Sequence, residues 1–242
     1  MLRNLLLCGL VAGALAGVVG TGFASVAGEP AIDRAIAYED ARAARSVGVD
    51  PAPMPVSRSL QKSAGLLTAL TVDGVALGGV FALVFAFGYG RIGRASPRIT
   101  AYWLAAAAFV VLFLVPFVKY PANPPSVGEP ATIDRRTALY LTMLAISVLA
   151  AIAAARLRSR LGGLSLLAYL VVVVAAGLAL PGIHEVPAGF PATTLWRFRE
   201  ASIGLSAVMW ATLGTLFGYA AQRVMTGQPI LAWRARMAAA AK

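Results

Sequence analysis

The chain has 242 residues, a formal net charge of +11 and 59% apolar residues. So few polar residues cannot cover a soluble globular domain, and the composition points to one lipid-embedded domain over 1–242 with no soluble domain attached. Nucleic acid is a poor explanation of the charge, because the basic residues stand in short clusters between apolar runs and not on one face with interleaved aromatics. A lone Cys8, inside the first apolar run, excludes an internal disulfide and a Cys-based zinc site.

Six apolar runs are long enough, or nearly so, to cross a hydrocarbon core of roughly 30 Å as α-helices. They are Leu5–Val26, Ala64–Gly88, Thr100–Val118, Thr137–Ala155, Leu164–Leu180 and Ala201–Ala221. The expectation is an all-α membrane protein of about six spans, with outer loops at 27–63, 119–136 and 181–200.

The first run repeats Gly9, Gly13 and Gly17 at four-residue spacing, a signature of close helix contact. A rival reading takes Arg3, this run and Ser25-Val26-Ala27 as a cleavable secretory signal. The run is longer than the roughly 7–15 apolar residues of such signals, and cleavage would leave five spans with unchanged sidedness. The loop that follows predicts a helix from Ala31 to Arg45, then a turn through Pro51, Pro53 and Pro55.

In the second run Gly74 and Gly78 repeat the small-residue spacing, and Asp73 stands among them. Asp73 lies about 14 Å from the outer end of its span at 1.5 Å per residue. A carboxylate at that depth costs about 2.5–3.5 kcal/mol on insertion scales and usually marks an ion or proton path. The plainer alternative is a protonated Asp bonded to a neighbouring hydroxyl or carbonyl.

The second outer loop carries Gly128-Glu129-Pro130-Ala131-Thr132-Ile133-Asp134-Arg135, a partial recurrence of Gly28-Glu29-Pro30-Ala31-Ile32-Asp33-Arg34. An inherited hairpin repeat and two similar turn-and-cap solutions both account for it. Pro181-Gly182 ends the fifth run, and His184-Glu185 follow in the third outer loop. The sixth run repeats the small-residue spacing at Gly214 and Gly218.

Charge decides the orientation. Arg3, Arg91, Arg94, Arg98, Arg156, Arg158, Arg160, Arg223, Arg234, Arg236 and Lys242 occupy alternate loops and termini without a single acid. The remaining loops mix basic residues with every acid except Asp73. The positive-inside rule therefore predicts that both termini are cytoplasmic.

The outer acids Glu29, Asp33, Glu39, Asp40, Glu129, Asp134, Glu185 and Glu200 suit a cation vestibule, since carboxylates bind hard and borderline divalent ions. The competing reading pairs them with the arginines of the same face. His184, the only histidine, is a candidate ligand for borderline metals or an ordinary loop residue. One His and one Cys cannot build a nitrogen- or sulfur-rich site, so if the chain moves a transition metal other chains are expected to supply such ligands. No nucleotide loop, haem attachment pattern or zinc-protease motif is present, and nothing marks the chain as an enzyme.

Several outer-loop stretches are familiar together. They are Leu114-Val115-Pro116-Phe117-Val118-Lys119-Tyr120-Pro121-Ala122-Asn123-Pro124-Pro125, Gly28-Glu29-Pro30-Ala31-Ile32-Asp33, Pro181-Gly182-Ile183-His184-Glu185-Val186-Pro187 and Leu195-Trp196-Arg197-Phe198-Arg199. In them the chain resembles the CbtA family of predicted cobalt transporter subunits across essentially its whole length. The resemblance implies cobalt uptake, with cobalt(II) as the transported ion and no tightly bound cofactor. It also implies a small single-span, His-bearing CbtB-like partner in the plasma membrane of a bacterium. Members of that family are often described with five spans. The expected function is a membrane subunit for divalent cobalt uptake, with nickel as a second candidate. Asp73, His184, Glu185, Glu29 and Asp33 are its candidate metal contacts. The alternative is a non-catalytic scaffold or accessory subunit of a larger membrane complex, and oligomerisation stays open.

Overall fold

Proline in a helix interior withholds a hydrogen bond and crowds the carbonyl four residues back, and one way a span accommodates it is to widen the turn before it. This chain does so twice. In a computed structural model that describes residues 1–45, 56–91 and 93–228, a π-helical turn at Ala24–Gly28 precedes Pro30, and another at Phe109–Leu114 precedes Pro116.

The first helix, α1, therefore continues as Leu2–Ala43 through Gly28-Glu29-Pro30, where a loop was expected. The others are α2 Arg58–Gly88, α3 Pro97–Lys119, α4 Pro130–Leu161, α5 Leu164–Ala179 and α6 Ala192–Met225. No strand occurs among the described residues. The proline turn expected at Pro51, Pro53 and Pro55, and Arg234, Arg236 and Lys242, lie outside them.

Five of these helices are long and apolar enough to cross a membrane. The fifth expected span, α5, has 16 residues, or about 24 Å of rise. Gly162 (φ +54°) opens it and Pro181 follows its end.

The chain divides into two units, to both of which α1, α3 and α6 contribute segments. In the first (1–22, 59–107 and 207–242) α1 meets α2 backbone to backbone. A Cβ placed on Gly9 would overlap the Gly78 carbonyl, one on Gly13 the Gly74 carbonyl, and one on Gly17 the Leu70 carbonyl. The small-residue spacing is thus a contact surface, as expected. Gly214 and Gly218 of α6 likewise face Ala105 and Ala101 of α3. Around these contacts Phe217 packs edge-on against Phe81 and Phe85, with ring centroids 5.1 and 5.0 Å apart. Leu5 and Leu213 complete this core.

In the second unit (23–58 and 108–206) α4 and α5 pair through Met143, Tyr169 and Val173, with Tyr120 beside them. The chain after α5 comes back to the start of α4, where Glu185 bonds Glu129 and Thr132. Short as it is, α5 carries the chain back to the Pro130 end of α4.

Candidate functional site

The sequence motifs that are not span filler meet in the second unit. The Tyr120 hydroxyl donates to the Pro181 carbonyl at 2.9 Å. Arg199 donates to the Ala122 carbonyl and to Asn123 Oδ1 at 3.3 and 3.0 Å. These bonds tie the end of α3 to the loop after α5 and to the start of α6. On the extension of α1, Ala35 packs with Val127 and Phe190, all three buried, and the Tyr38 ring stands edge-on to Phe190 at 5.1 Å. Ser126 adopts φ +68°, a conformation a side chain resists. Its hydroxyl lies 2.9 Å from Glu39 Oε2 and 3.3 Å from the Ala35 carbonyl, which holds the turn against α1.

Within this cap the acidic candidates fall into two groups, each closed by an arginine. Glu29 and Asp33 lie one turn apart on α1 and both accept from Arg58, at 3.2 Å for Asp33. Glu29 is buried. Glu185 Oε2 accepts from the Glu129 N–H and the Thr132 hydroxyl, both at 2.9 Å, with Arg136 Nε at 3.4 Å. The Glu129 N–H first, then Thr132 and the Arg136 and Arg135 charges, hold the Glu185 carboxyl below the usual carboxylate range. His184 is exposed beside it in sequence. Among the described residues no three of His, Cys, Asp and Glu come together as a metal group. The pairing with arginine weighed for these acids is what the structure displays. Sequence reasoning did not identify Arg58 and Arg136 as the clamps, because neither stands at a helical spacing from its partner.

The two copies of the recurring motif take different structures. Gly28-Glu29-Pro30 is helical throughout, whereas Gly128 (φ +116°) and extended Glu129 precede a short 3-10 turn at Pro130–Thr132. The shared turn-and-cap explanation therefore fails for the first copy. The second copy contributes its Glu129 N–H to Glu185, whereas the first contributes the Glu29 carboxylate to Arg58.

Asp73 belongs to the other unit. It lies on the exposed face of α2, beside Gly74 but outside the glycine contact with α1. It has no hydrogen-bond or ion-pair partner among the described residues.

The family described as probable cobalt transporter subunit (CbtA) matches residues 2–222. The chain belongs to the CbtA family. Its helical fold and its spanning helices agree with a multi-pass membrane transporter subunit, as the resemblance implied. A CbtA chain, being a subunit, works with other chains. No curated protein and no solved structure matches this one significantly.

Proposed function

We propose that this CbtA chain is the membrane subunit of a divalent cobalt uptake system in a bacterial plasma membrane. The observation that carries this is the family match over 2–222, which spans both the helices and the outer cap. Cobalt(II) is the cargo, and nickel is the ion against which selectivity has to be measured. The carboxylates of Glu29, Asp33 and Glu185, with exposed His184, are the proposed first contacts. Arg58 and Arg136 pair with those acids, so a divalent ion must displace a guanidinium to bind. That competition makes the isolated chain a weak binder. Nitrogen ligands then come from a second subunit, a small His-bearing CbtB-like chain being the proposed source. The absence of a three-ligand group among the described residues favours this division of labour, and it equally suits a scaffold whose partner alone conducts the metal.

The deciding experiment measures cobalt accumulation in cells with and without the gene, and again with the paired variants Glu185→Gln and His184→Ala. Gene-dependent accumulation that these variants reduce severalfold supports the transport reading. Accumulation that needs the chain but ignores both variants favours the scaffold. Accumulation independent of the gene refutes both.

A further inference from the structure

An ionisable residue inside a spanning helix normally faces a bundle interior or a watery cavity and is paired there. Among the described residues of its unit Asp73 does neither. It lies eleven residues beyond Lys62, the last charge before it on α2, or about 16 Å along the axis. The exposed stripe around it runs Ala69, Asp73, Ala76 and Val80, at spacings of four, three and four residues. The buried stripe of the same helix, Gly74, Gly78, Phe81 and Phe85, is already used against its own unit. What remains is an apolar helix face with an unpartnered carboxylate at its middle and small residues one turn to either side. Small residues let a second backbone come close, and hydrogen bonding is among the forces that hold helices together in lipid.

We infer that the Ala69–Asp73–Ala76–Val80 face of α2 docks a spanning helix of a different subunit that presents a basic side chain to Asp73. Charge complementarity selects the occupant. None of the six apolar runs of this chain contains a Lys, Arg or His. A second copy therefore has no cationic donor at that depth, and a two-fold contact centred on the stripe would oppose two carboxylates. A basic residue on another chain neutralises Asp73 and fixes the register of the two helices at once. This rests on the reading of the chain as one subunit of a transporter, and it names where the partner sits.

The test places a benzophenone amino acid at Ala76 of the full chain in the membranes of its native host, with Val171 on the exposed side of α5 as control. Illumination is expected to join position 76, and not 171, to one other polypeptide with a basic residue inside a spanning segment. Asp73→Leu should lower that yield about tenfold at equal membrane abundance, the loss expected when a hydrogen-bonded helix contact of roughly 1–2 kcal/mol is removed. Should Asp73→Leu not accumulate, Asp73→Asn serves in its place and is expected to give a smaller drop. Restoration by Asp73→Lys combined with an acid at the partner's basic position completes the case. Adducts with a second copy, with lipid alone, or with a yield indifferent to Asp73 overturn the inference. Cobalt accumulation read in the same cells separates the two readings. Gene-dependent accumulation with lipid-only adducts removes the docking and leaves transport. An intact Asp73-dependent adduct without gene-dependent accumulation does the opposite.

Discussion

The hydroxyl of Ser147 reaches the Val111 carbonyl at 2.8 Å because the helix cannot supply that carbonyl itself. In the π-helical turn the Val115 N–H donates to the Val110 carbonyl. The next donor in that register belongs to residue 116, a proline with no N–H. A bare carbonyl inside a membrane costs several kcal/mol, so a side chain from α4 fills the gap. Ser147 spends its one hydrogen there, which makes the Tyr169 hydroxyl, 3.1 Å away, the donor to Ser147. Ser147→Ala is expected to destabilise the protein by about 1 kcal/mol, read as a lowered midpoint in detergent unfolding, and Tyr169→Phe by less. None of this was legible in the sequence, where Ser147 and Pro116 are separate features of separate spans and only the π turn connects them. Glu185 gives a second residue-scale expectation. Its carboxyl titrates lower in the folded state than in the unfolded chain, so its contribution is present above the ordinary glutamate range. That contribution is lost as pH falls through the lowered folded value. Unfolding midpoints should therefore fall on acidification more steeply for the native chain than for Glu185→Gln. Parallel pH curves would remove Glu185 from the cap's stability.

At the scale of elements, the four-residue glycine spacing was readable because the contact needs only the absence of side chains, which a sequence states directly. The exit of α1 was not readable. Pro30 and Gly28 look like a loop, but the preceding π turn lets the helix pass and carries Ala35, Tyr38 and Glu39 onto the cap. The arginine clamps were open for the same kind of reason: that acids and bases share a face is visible in composition, whereas the choice of Arg58 for Glu29 depends on where α2 begins. The glycine contact yields a sharp comparison. Gly13→Ala forces a methyl into the Gly74 carbonyl, while the same change at Gly22 meets nothing within 4 Å. Gly13→Ala should cost about 1–3 kcal/mol, the range for overpacking a filled interior, and Gly22→Ala little. Equal unfolding midpoints for the two variants would mean that α1 and α2 do not touch as described.

For the molecule as a whole, the open question is which way it faces. The loops that carry acids, 119–136 and 181–200, are joined by Glu185 to Thr132 and by Arg199 to Asn123, so they share one end of their unit. Arg156, Arg158 and Arg160 close the opposite end of α4, where no acid accompanies them. Cytoplasmic loops retain Lys and Arg, and acids contribute little to orientation. The positive-inside rule therefore predicts the acid-free end in the cytoplasm and the arginine-clamped cap outside. Single cysteines at positions 94, 158 and 184 in a Cys8→Ala background test this with an impermeant thiol reagent on intact cells. Position 184 should label, and positions 94 and 158 should label only after the membrane is opened. The reverse pattern would place the cap in the cytoplasm and overturn the proposed uptake direction. Labelling of 158 and 184 from the same side would mean instead that α5 does not cross. Its 16 residues make that the most demanding part of the result, since α5 must run between the acid-free end of α4 and the cap with barely the length to do so.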